Sequence, residues 1–347
     1  MEKKLVLPIL GMVISECALV GLMIVGKAAM SRGMSNFIFV FYCNALASLI
    51  LLPSAFLFHR SERPPLTFSI LCWFFLLGLL RGVLGYAGIY YSSAALGTAM
   101  LNLTPGVTFI LVIVFRMEKA YLRSSSFQAK LLGTTVSIAG AFIVTFYKGP
   151  ALLLTSQPSG LSYSLLLQHS HWVIGGLLLA IDCLFCSAWI ITQASILKKF
   201  PAELIVVFFY CFFVTIQSAV VCLVAERDLG AWSFKPDMRL IAILCSAVFG
   251  SAFQLGITTW CLHRTGPVFV SMFKPLGIVI SVVMGVIFLG DSFYLGSSIG
   301  AIVIVLGFYS LMWEKAREEK MGVDAGVKKL ESGSQKVPLL SNNIGEA

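Results

Sequence analysis

The sequence predicts an all-α membrane protein with ten transmembrane helices in two inverted five-helix repeats, and three observations lead there. First, the chain is 58% hydrophobic and only 12% charged over 347 residues, with a mean hydropathy of +0.92, far outside the range of soluble globular proteins. Second, its apolar residues fall into ten runs, near 5–29, 35–58, 68–93, 97–117, 127–147, 171–192, 203–225, 239–262, 267–289 and 293–313. Each approaches the roughly 20 residues that cross a bilayer as a helix. Third, the last five runs repeat landmarks of the first five at a nearly constant offset.

The first run follows "EKK" directly and is much longer than the roughly 7 to 15 apolar residues of a signal-peptide core, so it is expected to be a retained span. It carries Glu16. The fourth and ninth runs contain Pro105 and Pro275. A proline inside a helix removes a backbone donor and displaces the carbonyl four residues earlier, here at Leu101 and Ser271. Such breaks are tolerated in lipid only where neighbours or cavity water satisfy the freed group, so Asn102, Thr104 and Lys274 beside them are candidates to line a polar space. A purely structural kink is the plain alternative. The fifth and tenth runs share a glycine pair seven residues apart, Gly133 and Gly140 against Gly300 and Gly307. Further matches are "EKAYL" with "DSFYL", Gly88 with Gly256, and "EC" at Glu16 with "DC" at Asp182.

An odd number of spans per copy inverts the second copy relative to the first. The expected organisation is 5–147 for the first repeat, 148–170 for an extracytoplasmic linker, 171–313 for the second repeat and 314–347 for a cytoplasmic, disordered tail. Of the 25 Lys and Arg, 17 lie at the termini or in the loops on the same side as the termini. By the positive-inside rule both termini are then cytoplasmic. The net charge of +9 is therefore read as orientation and not as a nucleic-acid surface, because the basic residues flank apolar runs instead of forming a basic face.

Glu16 and Asp182 are the two acids inside the runs, at equivalent positions in the first helix of each repeat. A mid-bilayer charge costs roughly 2.5 to 3.5 kcal/mol even on lenient insertion scales, so each should face the bundle interior, paired or protonated. Asp182, Cys186, Trp189 and Gln193 follow helical spacing on one face; Glu16, Val20, Met23 and Lys27 repeat that register. The alternative is that each acid only anchors an interhelical hydrogen-bond network. Arg81 and Lys274 are the cations well inside the runs, away from their ends. Either could pair with a solute carboxylate, with Asn102, Gln193 and Gln254 left for other polar atoms, and Lys274 could instead neutralise Glu16 or Asp182.

All nine cysteines fall inside apolar runs and are expected to be reduced. Cys183 and Cys186 form a CxxC without the βαβ context of a redox motif. His169 and His171 lack a third ligand at suitable spacing, so no metal and no cofactor is expected. For an intramembrane enzyme the signals are weak. "GSSIG" around Ser298 matches G-x-S-x-G but opens an apolar helix without the strand-to-helix turn of a nucleophile elbow, and small-residue helix packing accounts for it better.

The runs "GKAAMSRGMS", "RPPLTF", "NLTPGVTFILVIVFRMEK", "KKFPAEL" and "GPVFVSMFKPLGIVISVVMGVIFLGDSFYLGSSIGAIVIVLGFYSLMWEKAREE" resemble the plant nodulin-21/EamA-like transporters. These are also called walls-are-thin-related or UMAMIT proteins, within the drug/metabolite transporter superfamily. The resemblance covers about residues 5 to 320. It implies two EamA repeats and passive or proton-linked transport of amino acids or, in some members, auxin, at the plasma membrane or the vacuolar membrane. The chain departs from the family pattern at Cys43, where many relatives carry Arg, and at Lys274, where many carry Asn. The expected partners are thus a small carboxylate substrate and membrane lipid. A receptor or scaffold that binds without transporting is the alternative from another class.

Overall fold

The computed structural model describes residues 3–30, 34–57, 67–79, 100–117, 125–147, 149–153, 169–225, 238–289 and 293–334. Arg81 and most of the 148–170 linker lie outside these. The protein is an α-helical bundle. Helices α1 (Lys3–Met30), α2 (Asn36–Leu57), α3 (Phe68–Leu79), α4 (Thr104–Val114) and α5 (Ser125–Phe146) come first. After them follow α6 (His169–Lys199), α7 (Glu203–Ala225), α8 (Met238–Cys245), α9 (Leu255–Thr265), α10 (Pro267–Ser271), α11 (Phe273–Met284) and α12 (Leu295–Ser334). Among the described residues, seven helical stretches are long and apolar enough to cross a membrane, including Val6–Gly26, Ile174–Lys199 and Leu295–Arg317. Three shorter apolar helices, Phe37–Pro53, Phe68–Gly78 and Thr104–Val114, accompany them.

Both prolines sit beside interruptions. A turn at Asn102 and Leu103 precedes α4, with Pro105 in its first turn, a position where the missing N–H costs no intrahelical bond. The Leu101 carbonyl accepts the Thr104 hydroxyl at 2.6 Å, so the group freed by Pro105 is satisfied locally. Met272 separates α10 from α11, three residues before Pro275. A third irregularity carries no proline: between α8 and α9 the backbone is π-helical from Ser246 to Gln254. At the other end of α9, Gly266 alone joins it to α10, with φ 90°.

The closest helix crossing in the bundle joins α5 to α12. A Cβ on Gly140 would lie 2.7 Å from Ile304 N and 2.9 Å from Gly300 O, and one on Gly133 would lie 3.0 Å from Gly307 O. Gly133 thus meets Gly307 while Gly140 meets Gly300, so the helices run antiparallel and touch backbone to backbone. Beyond them, Ala151–Leu153 (β1) pairs antiparallel with Phe293–Tyr294 (β2), and Leu295 N donates to Pro150 O at 3.0 Å. This small ladder ties the chain leaving α5 to the chain entering α12. The main apolar core gathers α3, α6, α7 and α9 to α11; within it Phe74 stacks on Phe209 at 5.0 Å and meets Phe200 edge-on at 6.2 Å.

Candidate functional site

Glu16 lies in the middle of α1, where the run "VISECALV" would otherwise be apolar. Its side chain is 2% exposed, and Lys274 Nζ donates to Oε1 at 3.1 Å. Lys274 reaches it from the first turn of α11, directly after the break at Met272, and is itself 31% exposed. The ammonium therefore has a buried carboxylate on one side and is only partly covered on the other. Gly277, one turn on from Lys274, completes the seat: a Cβ there would lie 2.8 Å from Glu16 Oε2. A side chain at this position would push the carboxylate off the lysine.

Glu16 is flanked by a second polar element. Ser15 Oγ lies 3.0 Å from Thr258 Oγ1 and donates to the Gln254 carbonyl at 3.4 Å. Gln254 Nε2 in turn donates to Thr258 Oγ1 at 3.4 Å. The next residue of α9, Thr259, accepts from Gln193 Nε2 at 2.7 Å. All of these side chains are buried, so a polar seam crosses α1, α9 and α6 inside the apolar bundle. Its members bond to one another, as groups without access to water must, except that Gln193 Oε1 has no partner among the described residues.

A third cluster joins α4 to α6. Thr104 Oγ1 lies 3.7 Å from Cys183 Sγ, and Ser187 Oγ donates to the Thr104 carbonyl at 3.3 Å and to the Cys183 carbonyl at 3.0 Å. Asp182 adjoins it and is half-buried. Thr104 and Lys274 each precede the proline of a broken helix, and each contacts the helix that carries an intramembrane acid. One of these positions holds a cation and the other a hydroxyl.

The predicted site residues are thus brought together in groups. Lys274 meets Glu16, Gln193 and Gln254 join through α9, and Thr104 lies beside Cys183. Trp189 is buried against Tyr210, edge-on at 5.9 Å. Asn102, 3% exposed at the α4 break, keeps its Nδ2 without a hydrogen-bond partner among the described residues. Among those residues no group of three His, Cys, Asp or Glu side chains is placed to hold a metal.

Comparison with known proteins decides what kind of molecule carries this arrangement. The EamA-like transporter family profile matches residues 173–313. WAT1-related protein At3g28050 of Arabidopsis thaliana is 47% identical, with 97% of this chain and 96% of that protein covered. WAT1-related protein At5g40240 of the same plant is 44% identical over 98% and 94%. The chain belongs to the WAT1-related proteins of the EamA-like transporter family. A solved crystal structure of a protein 14% identical in sequence superposes with a TM-score of 0.63, over 89% of this chain and 98% of that one; it supports the fold alone.

For a WAT1-related chain, the residues that the sequence did not announce matter as much as those it did. Ser15, Thr258 and Thr259 read as filler in apolar runs, because Ser and Thr inside a helix usually bond back to their own backbone; Thr258 and Thr259 do so as well. Gly277 carries no signal apart from Glu16. Glu203 and His263 lie 60 positions apart, yet His263 Nδ1 and Glu203 Oε1 are 2.7 Å apart. They link the first turn of α7 to the last turn of α9, placing the acid at a helix start and the histidine at a helix end, as the helix dipoles favour.

Proposed function

We propose that this WAT1-related chain is a carrier of small solutes that bear a carboxylate, amino acids first among them, working by alternating access in a ten-helix bundle of two inverted five-helix repeats. The Lys274–Glu16 pair carries the reading. A buried ion pair is a poor device for stability, since desolvation offsets most of its attraction, but it is a good switch when one partner keeps access to a second anion. Lys274 has that access. A solute carboxylate arriving at the α10–α11 break competes with Glu16 for the ammonium, and Glu16, released, takes up a proton or leans on Ser15 and its neighbours.

The α5–α12 crossing supports the inverted arrangement. Gly133 is equivalent to Gly300 and Gly140 to Gly307, while the contacts run Gly133 to Gly307 and Gly140 to Gly300. A two-fold axis between the helices exchanges the two contacts in this way, and such an axis in the membrane plane is how secondary transporters relate inverted halves.

Flux is the test. Purified full-length protein in liposomes, given labelled amino acids and indole-3-acetate at two pH values, should show saturable, concentration-driven uptake of at least one of them; binding without flux would make the protein a receptor. If Glu16 or Asp182 couples protons, Glu16→Gln or Asp182→Asn flattens the pH dependence of uptake. Normal pH dependence in both variants leaves the acids as hydrogen-bonding anchors.

The charge distribution further supports cytoplasmic termini and a linker on the opposite face. Single cysteines at Ser159 and Ser332, in a background without the native nine, should react with a membrane-impermeant reagent from opposite sides. Labelling from one side would sink both the orientation and the inversion.

A further inference from the structure

We infer that Gln193 is the acceptor for the amine of the transported solute, so that its side-chain oxygen separates amino acids from carboxylates of the same shape that lack an N–H. The inference rests on the reading above that the solute bears a carboxylate, and it adds the second half of the recognition.

The orientation of the Gln193 amide follows from its neighbours. Thr259 Oγ1 donates to the Leu255 carbonyl at 2.7 Å. A hydroxyl has one proton, so with that proton committed, Thr259 can only accept from Gln193. The 2.7 Å contact is therefore made by Gln193 Nε2, and turning the amide would cost Thr259 its bond to the Leu255 carbonyl, since the hydroxyl would have to donate to the amide oxygen instead. The other end, Oε1, then points away from Thr259. Gln193 is 1% exposed, and its Oε1 is buried with no hydrogen-bond donor in reach among the described residues. A buried acceptor without a donor is unfavourable and uncommon in native proteins; here it is held in place by a dedicated relay through Thr259.

The helix face carries the same message. Asp182 and Cys186, on the Gln193 stripe, are half-buried, and the stripe closes over Trp189 and Gln193. A solute moving along this face meets an acid first and the fixed carbonyl last. An ammonium suits that carbonyl, because it brings three donors and forms a charge-assisted hydrogen bond without requiring a second buried charge. Thr259 also adjoins Thr258, which contacts Ser15 next to Glu16. The amine acceptor and the Lys274–Glu16 pair are therefore connected through consecutive residues of α9. The two contacts need not be simultaneous, since a solute crossing the bundle can meet them in turn.

The test compares phenylalanine with 3-phenylpropanoate, the same skeleton without the amine, on the full-length protein in liposomes and in detergent. Wild type should prefer phenylalanine, and Gln193→Met should lower the uptake ratio about tenfold, the size of one lost charge-assisted hydrogen bond. Thr259→Val, which frees the amide to turn, should lower the ratio in the same direction. In detergent, phenylalanine should raise the melting temperature of wild type but not of Gln193→Met, and the empty variant should melt close to wild type, because the lost Nε2–Thr259 bond is offset by removal of a buried acceptor that had no donor. A lower melting point for empty Gln193→Met, with both uptakes reduced in parallel, would make the residue structural and overturn the inference. An unchanged ratio with intact carboxylate uptake overturns it as well, leaving the carboxylate reading in place. If wild type moves neither probe nor any other carboxylate, that reading fails and the inference falls with it.

Discussion

Lys274→Gln is expected to raise the apparent substrate constant for anionic and zwitterionic solutes about ten- to a hundredfold, the equivalent of roughly 1.5 to 3 kcal/mol for a charge-assisted contact, while sparing an uncharged analogue such as an amino-acid amide. The substitution keeps a donor and much of the stem and removes the charge. It also strands Glu16, 2% exposed, without its 3.1 Å partner. Breaking a buried pair by removing one member costs about 3 to 5 kcal/mol if the remaining group stays charged, so a lower melting temperature accompanies the change. Neutralising both residues, as Lys274→Gln with Glu16→Gln, should restore much of the stability. Selectivity should not return, because the carboxylate still has no cation to meet. Uptake kinetics for the acid and its amide, measured beside thermal unfolding of the single and double variants, separate these effects. Equal loss for acid and amide would remove Lys274 from substrate recognition and leave it a structural counter-ion.

A second large structural effect is expected at the α5–α12 crossing. Gly140→Val places a Cβ 2.7 Å from Ile304 N and 2.9 Å from Gly300 O, and Gly300→Val places one 2.7 Å from Gly140 O and 2.8 Å from Val144 N. These neighbours are backbone atoms of helices, so no rotamer change relieves the overlap. The helices must separate, and the cost is about 3 kcal/mol or more per site, read as loss of the monodisperse folded fraction on gel filtration in detergent. Gly21 and Gly256, where an added Cβ meets nothing within 4 Å, are the controls. Alanine at either should be neutral or stabilising by up to about 1 kcal/mol, the helix-propensity difference between the two residues. If the valine variants fold as well as these alanine controls, backbone contact does not hold the two helices together.

The sequence made some of this architecture plain and concealed the rest for identifiable reasons. Apolar runs announce spans because lipid enforces length and composition together; Pro105 and Pro275 announce broken helices because proline has no N–H to give. Glu16 stood out against its surroundings, and the buried pairing with Lys274 was one of the alternatives that its cost implied. The π-helical stretch Ser246–Gln254 has no such marker: it contains no proline, and it lies packed against α1 and α2. The β1–β2 ladder was equally invisible, since segments of three and two residues show no periodicity. Pairs such as Glu203 with His263 and Ser15 with Thr258 depend on which helices become neighbours, and that information is spread over the whole chain.

The joint at Gly266 has a mechanical consequence. Between the last residue of α9 and the first of α10 there is a single residue, which leaves no slack for the two arms to slide past each other or spread apart at that end. They form a lever with one fixed corner. Thr258 and Thr259 ride on one arm and Lys274 lies just beyond the end of the other, across the break at Met272. On the proposed carrier reading, the two ends of solute recognition are therefore joined through a short stretch of covalent chain that turns at this corner.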